Sequence, residues 1–347
     1  MINWEIFAFS SLLFLCVLTS IGKPCTSFYL NNNGYLVFGT NFDNDKVHEG
    51  LLFVNKRKVS KTGWEASTTG EYAAWISKYG SVTFNLVGYQ LVWAGINEEG
   101  LVVSTMALSG TQSPPPDKRP PLISSFWLQY LLDNCSTVKE VIASQSKVRV
   151  GDNVDHFLVC DAIGNCAAIE FIGGKMVCHT GSTLPIRVLA NNPYEESVDI
   201  WKQDSKRGFL NKLFSKPKRN VSLVRFKIAA DSVKKFDPKK SGPSVKYALN
   251  TLEMVSGQRV SGSPTNWSIV FDIENRGTYF RTSSNSKIRF FDLKAFDFSS
   301  STPVKMLDIH AELSGDVLSR FVDYSREVNL KHLRRFCQKY GVDVTYE

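Results

Sequence analysis

The chain has 347 residues, 43% of them hydrophobic and 21% charged, with a formal net charge of +8; that length builds one large core or two small ones. Its seven cysteines include no Cys-x-x-Cys pair and its five histidines are scattered, so no metal site and no cofactor is expected. The basic excess gathers only over 202–219, where Gly208, Pro217 and the following Asn220 read as a solvated loop, not as a nucleic-acid-binding helix.

In chain order, 6–21 is nearly all apolar and shorter than the roughly 20 residues a membrane span needs. Ser20 and Gly22 then stand two apart, as small residues do before a signal-peptide cleavage. Residues 1–24 are therefore expected to be removed as a leader and short propeptide, exporting the chain to a periplasmic, extracellular or luminal space. Met1 to Glu5 carries no Lys or Arg, which keeps an uncleaved anchor open. Cleavage after Gly22 leaves Lys23-Pro24, so a second trimming step is implied. The loss of Glu5 and Lys23 leaves the net charge at +8.

From Cys25 the pattern is one of strands. CTSFYLN and YLVFGTNF flank Asn31-Asn-Asn-Gly34, a hairpin signal because Asn and Gly tolerate positive φ. LLFVNKR, SVTFNLV, YQLVWAGI and LVVSTMA follow, the last two separated by the turn Asn97-Glu-Glu-Gly100. The proline-rich 110–121 reads as a crossing loop. Helices are predicted over 124–134 and from about 136, the second behind a capping residue. Strands resume in HFLVCDAIGNCAAIEFIGGKMVCHTG, where Cys160 and Cys166 flank a hairpin turn and can face one another. Helices over 224–236 and 243–255 precede a second block of strands, SIVFDIEN, GTYFRTSS and KIRFFDL. A charged amphipathic helix is predicted as a C-terminal extension over about 316–341. No linker or repeat divides 25–347, so one α+β domain of two antiparallel sheets covered by helices is expected.

Cys25 acquires its chemistry if it becomes the first residue. Its thiol, with a free pKa near 8.5, is then accompanied by an α-amine with a pKa of about 7.7–8.0. That amine can take the thiol proton and return it to a leaving nitrogen, with no histidine required. While Pro24 is attached the nitrogen is an amide, and the precursor is expected to be inactive.

Five short stretches in order carry a family resemblance: Cys25-Thr-Ser-Phe28, Gly39-Thr-Asn-Phe-Asp43, Asn97-Glu-Glu-Gly-Leu101, Leu189-Ala-Asn-Asn-Pro193 and Ser222-Leu-Val-Arg-Phe226. Together they resemble the choloylglycine hydrolase family, whose bile-salt hydrolases and penicillin V acylases cleave linear non-peptide amide bonds. The resemblance implies the four-layer αββα sandwich of N-terminal nucleophile hydrolases and a small acyl-amide substrate. It carries Cys25 over as nucleophile and, through its amine, as base. Asp43 is implied to hold that amine, Asn191 to stabilise the tetrahedral oxyanion at about 3–4 kcal/mol, and Arg225 to favour the thiolate. Nucleic acid and a membrane span after processing are not implied as partners, and a homo-oligomer stays open.

Two positions depart from that pattern. Thr40 stands where well-known members carry Arg, and Ala107 falls where they carry an Asn or Tyr that completes the oxyanion hole, so a divergent acyl-amide substrate is expected. Three classes stay open on the residues. One is an amidase, with lipid amides of the acid ceramidase-like type as its second substrate class. The others are a catalytically impaired binding protein on the same scaffold and a basic surface-interaction protein using 202–219. Asn134, Asn220 and Asn266 lie in N-x-[ST] patterns.

Overall fold

A computed structural model of the chain describes residues 25–32, 34–44, 49–63, 73–89, 91–151, 155–206 and 220–339. The expected leader and propeptide, and 207–219 of the basic segment, lie outside the described residues. The first half contains β1 (Thr26–Asn32), β2 (Tyr35–Asp43), β3 (Leu51–Asn55), β4 (Ser60–Thr62), β5 (Ala74–Ile76), β6 (Ser81–Val87), β7 (Leu91–Asn97), β8 (Val102–Met106) and β9 (Pro121–Leu122). Helices α1 (Ser124–Asn134) and α2 (Val138–Ala143) follow, then β10 (Arg149–Val150), β11 (His156–Cys160), β12 (Cys166–Ile172), β13 (Lys175–Thr180) and β14 (Val188–Leu189). Next come α3 (Tyr194–Lys206), α4 (Val221–Lys235), α5 (Ser244–Met254) and α6 (Gly257–Val260). The chain closes with β15 (Thr265–Asp272), β16 (Gly277–Thr282), β17 (Arg289–Asp292), β18 (Lys305–Asp308), β19 (Gly315–Asp316), β20 (Val322–Asp323) and α7 (Arg326–Lys339).

Among the described residues two large sheets form, ordered β14-β1-β2-β15-β16-β17-β19 and β13-β12-β11-β8-β7-β6-β3-β18-β20. Helices α4 and α5 lie on β1, β2 and β15 of the first, and α1 lies on β7 and β8 of the second. This is the predicted αββα sandwich. A central strand in such a stack buries both faces, so β6 and β15 are buried at every position, polar residues included.

The sheets meet through rings. Phe84 of the second sheet lies 5.9 Å from Phe271 of the first, and Phe42 lies 5.1 Å from Trp93 across the same layer. Gly39 is required at its place in β2: it pairs with Phe28, and a Cβ there would stand 2.5 Å from the Phe28 ring. That close approach tightens the β1–β2 ladder and so fixes the height of Cys25 relative to Asp43.

Several expectations are refined. Cys160 and Cys166 pair in register on β11 and β12 and form a disulfide. The capping residue before α2 is Thr137, which makes a reciprocal box with Glu140. The C-terminal prediction began too early, since among the described residues the helix covers Arg326–Lys339. Upstream of it Val317 N–H goes to Phe290 and Tyr324 N–H to Val304, and only a single 3-10 turn forms, over Leu318–Arg320. Leu333, Phe336 and Cys337 of α7 are buried in the inter-sheet cluster, so this helix is part of the body. Residues 202–206 belong to α3, where the sequence reading placed a loop. Asn266 is fully buried in β15 and cannot carry a glycan in the folded chain, whereas exposed Asn220 caps α4 by accepting the Ser222 N–H.

Candidate active site

Cys25, Asp43, Asn191 and Arg225 come together at one end of the sandwich. Strand alternation puts Cys25 and Ser27 on the inter-sheet face, and Thr26 and Phe28 on the face toward α4. Ser27 accordingly reaches Ser104 of the opposite sheet, and Thr26 reaches Arg225 of α4. Cys25 is 4% exposed. Its N–H donates to Asn191 Oδ1 at 2.6 Å, and its carbonyl accepts from an Arg225 terminal nitrogen at 2.5 Å.

Arg225, fully buried, is the hub. The nitrogen that holds the Cys25 carbonyl also donates to Thr26 Oγ1 at 2.6 Å and lies 3.7 Å from Asp43 Oδ2. Its other terminal nitrogen donates to Asn191 Oδ1 at 2.9 Å. Two donors on Oδ1 fix the Asn191 amide orientation, and its Nδ2 donates to the Ala107 carbonyl at 2.7 Å. Ala107, noted in the sequence for a missing side chain, thus contributes a backbone acceptor. The Asn191 N–H is taken by Ser222 Oγ at 2.7 Å, which gives the serine of the Ser222-x-x-Arg225 pattern its own task.

Asp43, 1% exposed, ends β2 with a divided environment. Oδ1 accepts the Thr265 hydroxyl at 2.6 Å, whereas Oδ2 is buried and receives no hydrogen bond. Burial pushes the carboxyl up to about 7, against Arg225 and the Thr265 hydroxyl, which hold it down. The Cys25 thiol is pushed up to about 12, first by burial and then by the Asp43 carboxylate. The Asp43 backbone N–H and the Arg225 charge oppose this. The Arg225 charge acts in the direction of the thiolate, but burial and Asp43 outweigh it. The sulfur therefore rests as a neutral thiol and needs a base to become a nucleophile.

Thr40 occupies the inter-sheet face beside Ser27. Its Oγ1 lies 2.8 Å from Ser27 Oγ and 3.0 Å from Ser104 Oγ, a neutral buried trio where the family pattern led to an expectation of Arg. Thr265, Asp155 and Glu170 were not singled out from sequence, and Ser222 entered only as the first residue of its motif. Of the first three, Glu170 alone carried a signal, as the lone charge in the apolar run CAAIEFI. Asp155 stands at the start of β11 with Thr105 Oγ1 donating to Oδ2 at 3.1 Å, and burial pushes it up to about 7. A cleft of about 290 Å³ lies elsewhere, lined by Arg119, Trp127, Phe171, Lys175 and their neighbours, and shares no residue with the Cys25 cluster. Among the described residues no group of three or more His, Cys, Asp or Glu is arranged to hold a metal ion, and no helix is long and apolar enough to cross a membrane.

Two large antiparallel sheets stacked between layers of helices are the fold of the N-terminal nucleophile hydrolases. The profile of the linear amide C–N hydrolases, choloylglycine hydrolase family, matches residues 25–203, and the chain belongs to that family. Its match begins at Cys25 itself. A penicillin V acylase of Pectobacterium atrosepticum is 27% identical over 335 residues, covering 83% of this chain and 86% of the relative. The structure of penicillin V acylase from Agrobacterium tumefaciens superposes with a TM-score of 0.72 at 25% identity, covering 87% of this chain and 98% of that one. A variant of the conjugated bile acid hydrolase of Clostridium perfringens shares the fold, with a TM-score of 0.67 at 17% identity over 84% of this chain and 98% of its own.

Proposed function

We propose that the protein removes the acyl group from a small linear amide through a thioester on Cys25, once loss of residues 1–24 has made Cys25 the N-terminus. The observation that carries this reading is the buried Asp43 Oδ2, which accepts no hydrogen bond although it shares an Arg225 nitrogen with the Cys25 carbonyl. An uncompensated carboxylate oxygen in that position is suited to an incoming cation, and cleavage of Pro24–Cys25 creates one, the α-ammonium group.

The chemistry follows from the same contacts. The unprotonated α-amine takes the Cys25 thiol proton as sulfur attacks the substrate carbonyl. The tetrahedral oxyanion forms on the side of Asn191 Nδ2, whose N–H stabilises it, and the ammonium returns its proton to the leaving nitrogen. The amine product departs, leaving the acyl group on sulfur, and water attacks the thioester with the same amine as base. An apolar acyl group of the phenoxyacetyl kind is the favoured substrate class. The names of the penicillin V acylase relatives support this choice. Export through the leader is part of this proposal, since trimming has to expose Cys25.

The test is N-terminal mass spectrometry of the exported protein combined with burst kinetics on penicillin V, a glycine-conjugated bile salt and a fatty amide. A mature chain starting at Cys25, with one equivalent of acyl group trapped on it, is expected. Turnover of any of these by protein that still begins at Met1 or Lys23 refutes the mechanism.

A further inference from the structure

Behind Asn191, on the opposite sheet, lies a second buried ionic cluster that the proposed chemistry does not use. Glu170, on β12, is 1% exposed. Its Oε1 accepts the Tyr194 N–H at 3.0 Å and lies 3.3 Å from His156 Nδ1, and its Oε2 lies 3.2 Å from His179 Nε2. Both imidazoles donate in the tautomers that place hydrogens on those nitrogens. Their bonds hold the Glu170 carboxyl down at about 2 despite its burial. Tyr194 opens α3, three residues after Asn191. Its ring lies 4.9 Å from that of His179, and its hydroxyl donates to the Ile186 carbonyl at 2.6 Å.

These contacts tie the Tyr194 end of one segment to the second sheet and join it to the other end at Ile186. Ile186 lies just before β14, the strand that pairs with β1 at Ser27 and Phe28. Tyr194 closes the Asn191-Asn-Pro193 turn. A carboxylate at the first turn of a thirteen-residue helix is favoured by the helix dipole and satisfies an N–H that the helix leaves open. The turn that carries Asn191 is thus fastened on one side by Ser222 and on the other by Glu170.

We infer that Glu170, gripped by His156 and His179, is a positioning residue for Asn191: it holds the 191–194 turn so that Asn191 Nδ2 stays at the Ala107 carbonyl, where the oxyanion forms. The inference rests on the oxyanion role proposed for Asn191. In Glu170→Ala, kcat on penicillin V is expected to fall about 10²-fold with KM within about threefold, the size of misplacing one oxyanion donor. Glu170→Gln keeps an acceptor for the Tyr194 N–H and is expected to recover most of that loss. The side-chain amide resonances of Asn191, read by ¹⁵N NMR in the mature protein without substrate, are expected to shift in Glu170→Ala and to stay in place in Lys61→Met, a remote control. Wild-type kcat in folded Glu170→Ala, or unmoved Asn191 resonances, overturns the inference. Where Glu170→Ala does not fold, His179→Gln and Tyr194→Phe loosen the same segment, and the same two readouts decide. If the wild-type protein turns over no amide, the functional proposal fails by itself, while the resonance shift still decides whether Glu170 positions Asn191.

Discussion

Asp43 and Asp133 are both almost fully buried and both face a single basic side chain, yet their surroundings differ in kind. Asp133, on α1, is saturated. Lys61 donates to Oδ1 at 3.0 Å and lies 2.9 Å from Oδ2, Gln129 donates to Oδ1 at 2.9 Å, and Trp75 donates to Oδ2 at 2.7 Å. These bonds lock the β4–β5 hairpin to α1. Asp43 has one hydroxyl donor, an arginine at 3.7 Å and an oxygen with none. Burial raises both carboxyls, but only at Asp43 is the compensation left incomplete in the uncut chain. A completed buried pair holds a fold together; an incomplete one is built to receive a further group.

The largest effect that sharpens this contrast is at the receiving end. Cys25→Ala in the mature protein is expected to lower kcat on the order of 10⁴-fold or more, the scale of losing a nucleophile. A chain engineered to begin at Lys23 is expected to fall as far, because its Cys25 nitrogen is an amide and cannot take a proton. A thioester-trapping assay with penicillin V checks both. A mature chain that acylates equally well with Lys23-Pro24 attached would remove the reason for leaving Asp43 incomplete.

Next in size is Lys61→Met. It strands a buried Asp133 charge and is expected to cost about 3–5 kcal/mol of stability. Denaturant melts read the loss, and kcat per folded molecule is expected to remain at the wild-type value. Asp43→Asn should reverse the pattern, lowering kcat/KM about 10²-fold through a misplaced amine. Its stability has a definite pH sign. The Asp43 carboxyl titrates near 7 when folded and near 3.9 when unfolded. The folded state therefore holds the extra proton between those values, and this group's contribution is complete below about 4 and lost as pH rises through 7. Melts of the uncut wild-type and Asp43→Asn chains, in which no α-ammonium faces position 43, should shift across pH 4–8 progressively in favour of the variant. A constant difference would mean that Asp43 is ionised throughout, like a completed pair.

The activity profile is a smaller effect of the same origin. The proposed mechanism requires the unprotonated amine, whose free pKa is about 7.7–8.0, so kcat/KM should fall about tenfold per pH unit below neutrality. Asp43 in its ionised form favours the ammonium, and Asp43→Asn should move that acid limb to lower pH. A profile flat to about pH 5 in the mature protein would assign the proton to another base.

Much of this was legible because the long elements are locally specified. The Asn-Gly turn, the largely apolar strands and the α1 pattern announce themselves within a few residues of each position, and so does the Cys160/Cys166 hairpin. Cys25, Asp43, Asn191 and Arg225 were reached through short ordered motifs. What escaped was set by distant partners. Strands of two to four residues such as β14 and β19 exist only because another strand lies beside them, and within 316–325 Val317 and Tyr324 give their N–H groups to Phe290 of β17 and to Val304 instead of to an α-helix. Thr265 became a site residue through a contact across 222 positions of sequence, which no local pattern encodes.

Thr40 yields the smallest expected effect and bears on how far the polar character of Asp43 extends. Its hydroxyl, with those of Ser27 and Ser104, forms a closed neutral trio one strand position from the inter-sheet neighbours of Cys25. A closed trio resembles the Asp133 cluster in being satisfied, though it carries no charge. Thr40→Val keeps the shape and removes one hydroxyl from a set whose two remaining members, 3.4 Å apart, still bond to each other. The cost should therefore be about 1 kcal/mol, the ordinary net worth of a buried hydrogen bond, with kcat within about threefold of wild type. If kcat instead falls tenfold or more at unchanged stability, the Thr40 hydroxyl reaches the reacting atoms, and the incomplete, group-receiving region has to be extended from Asp43 across the inter-sheet face to β8.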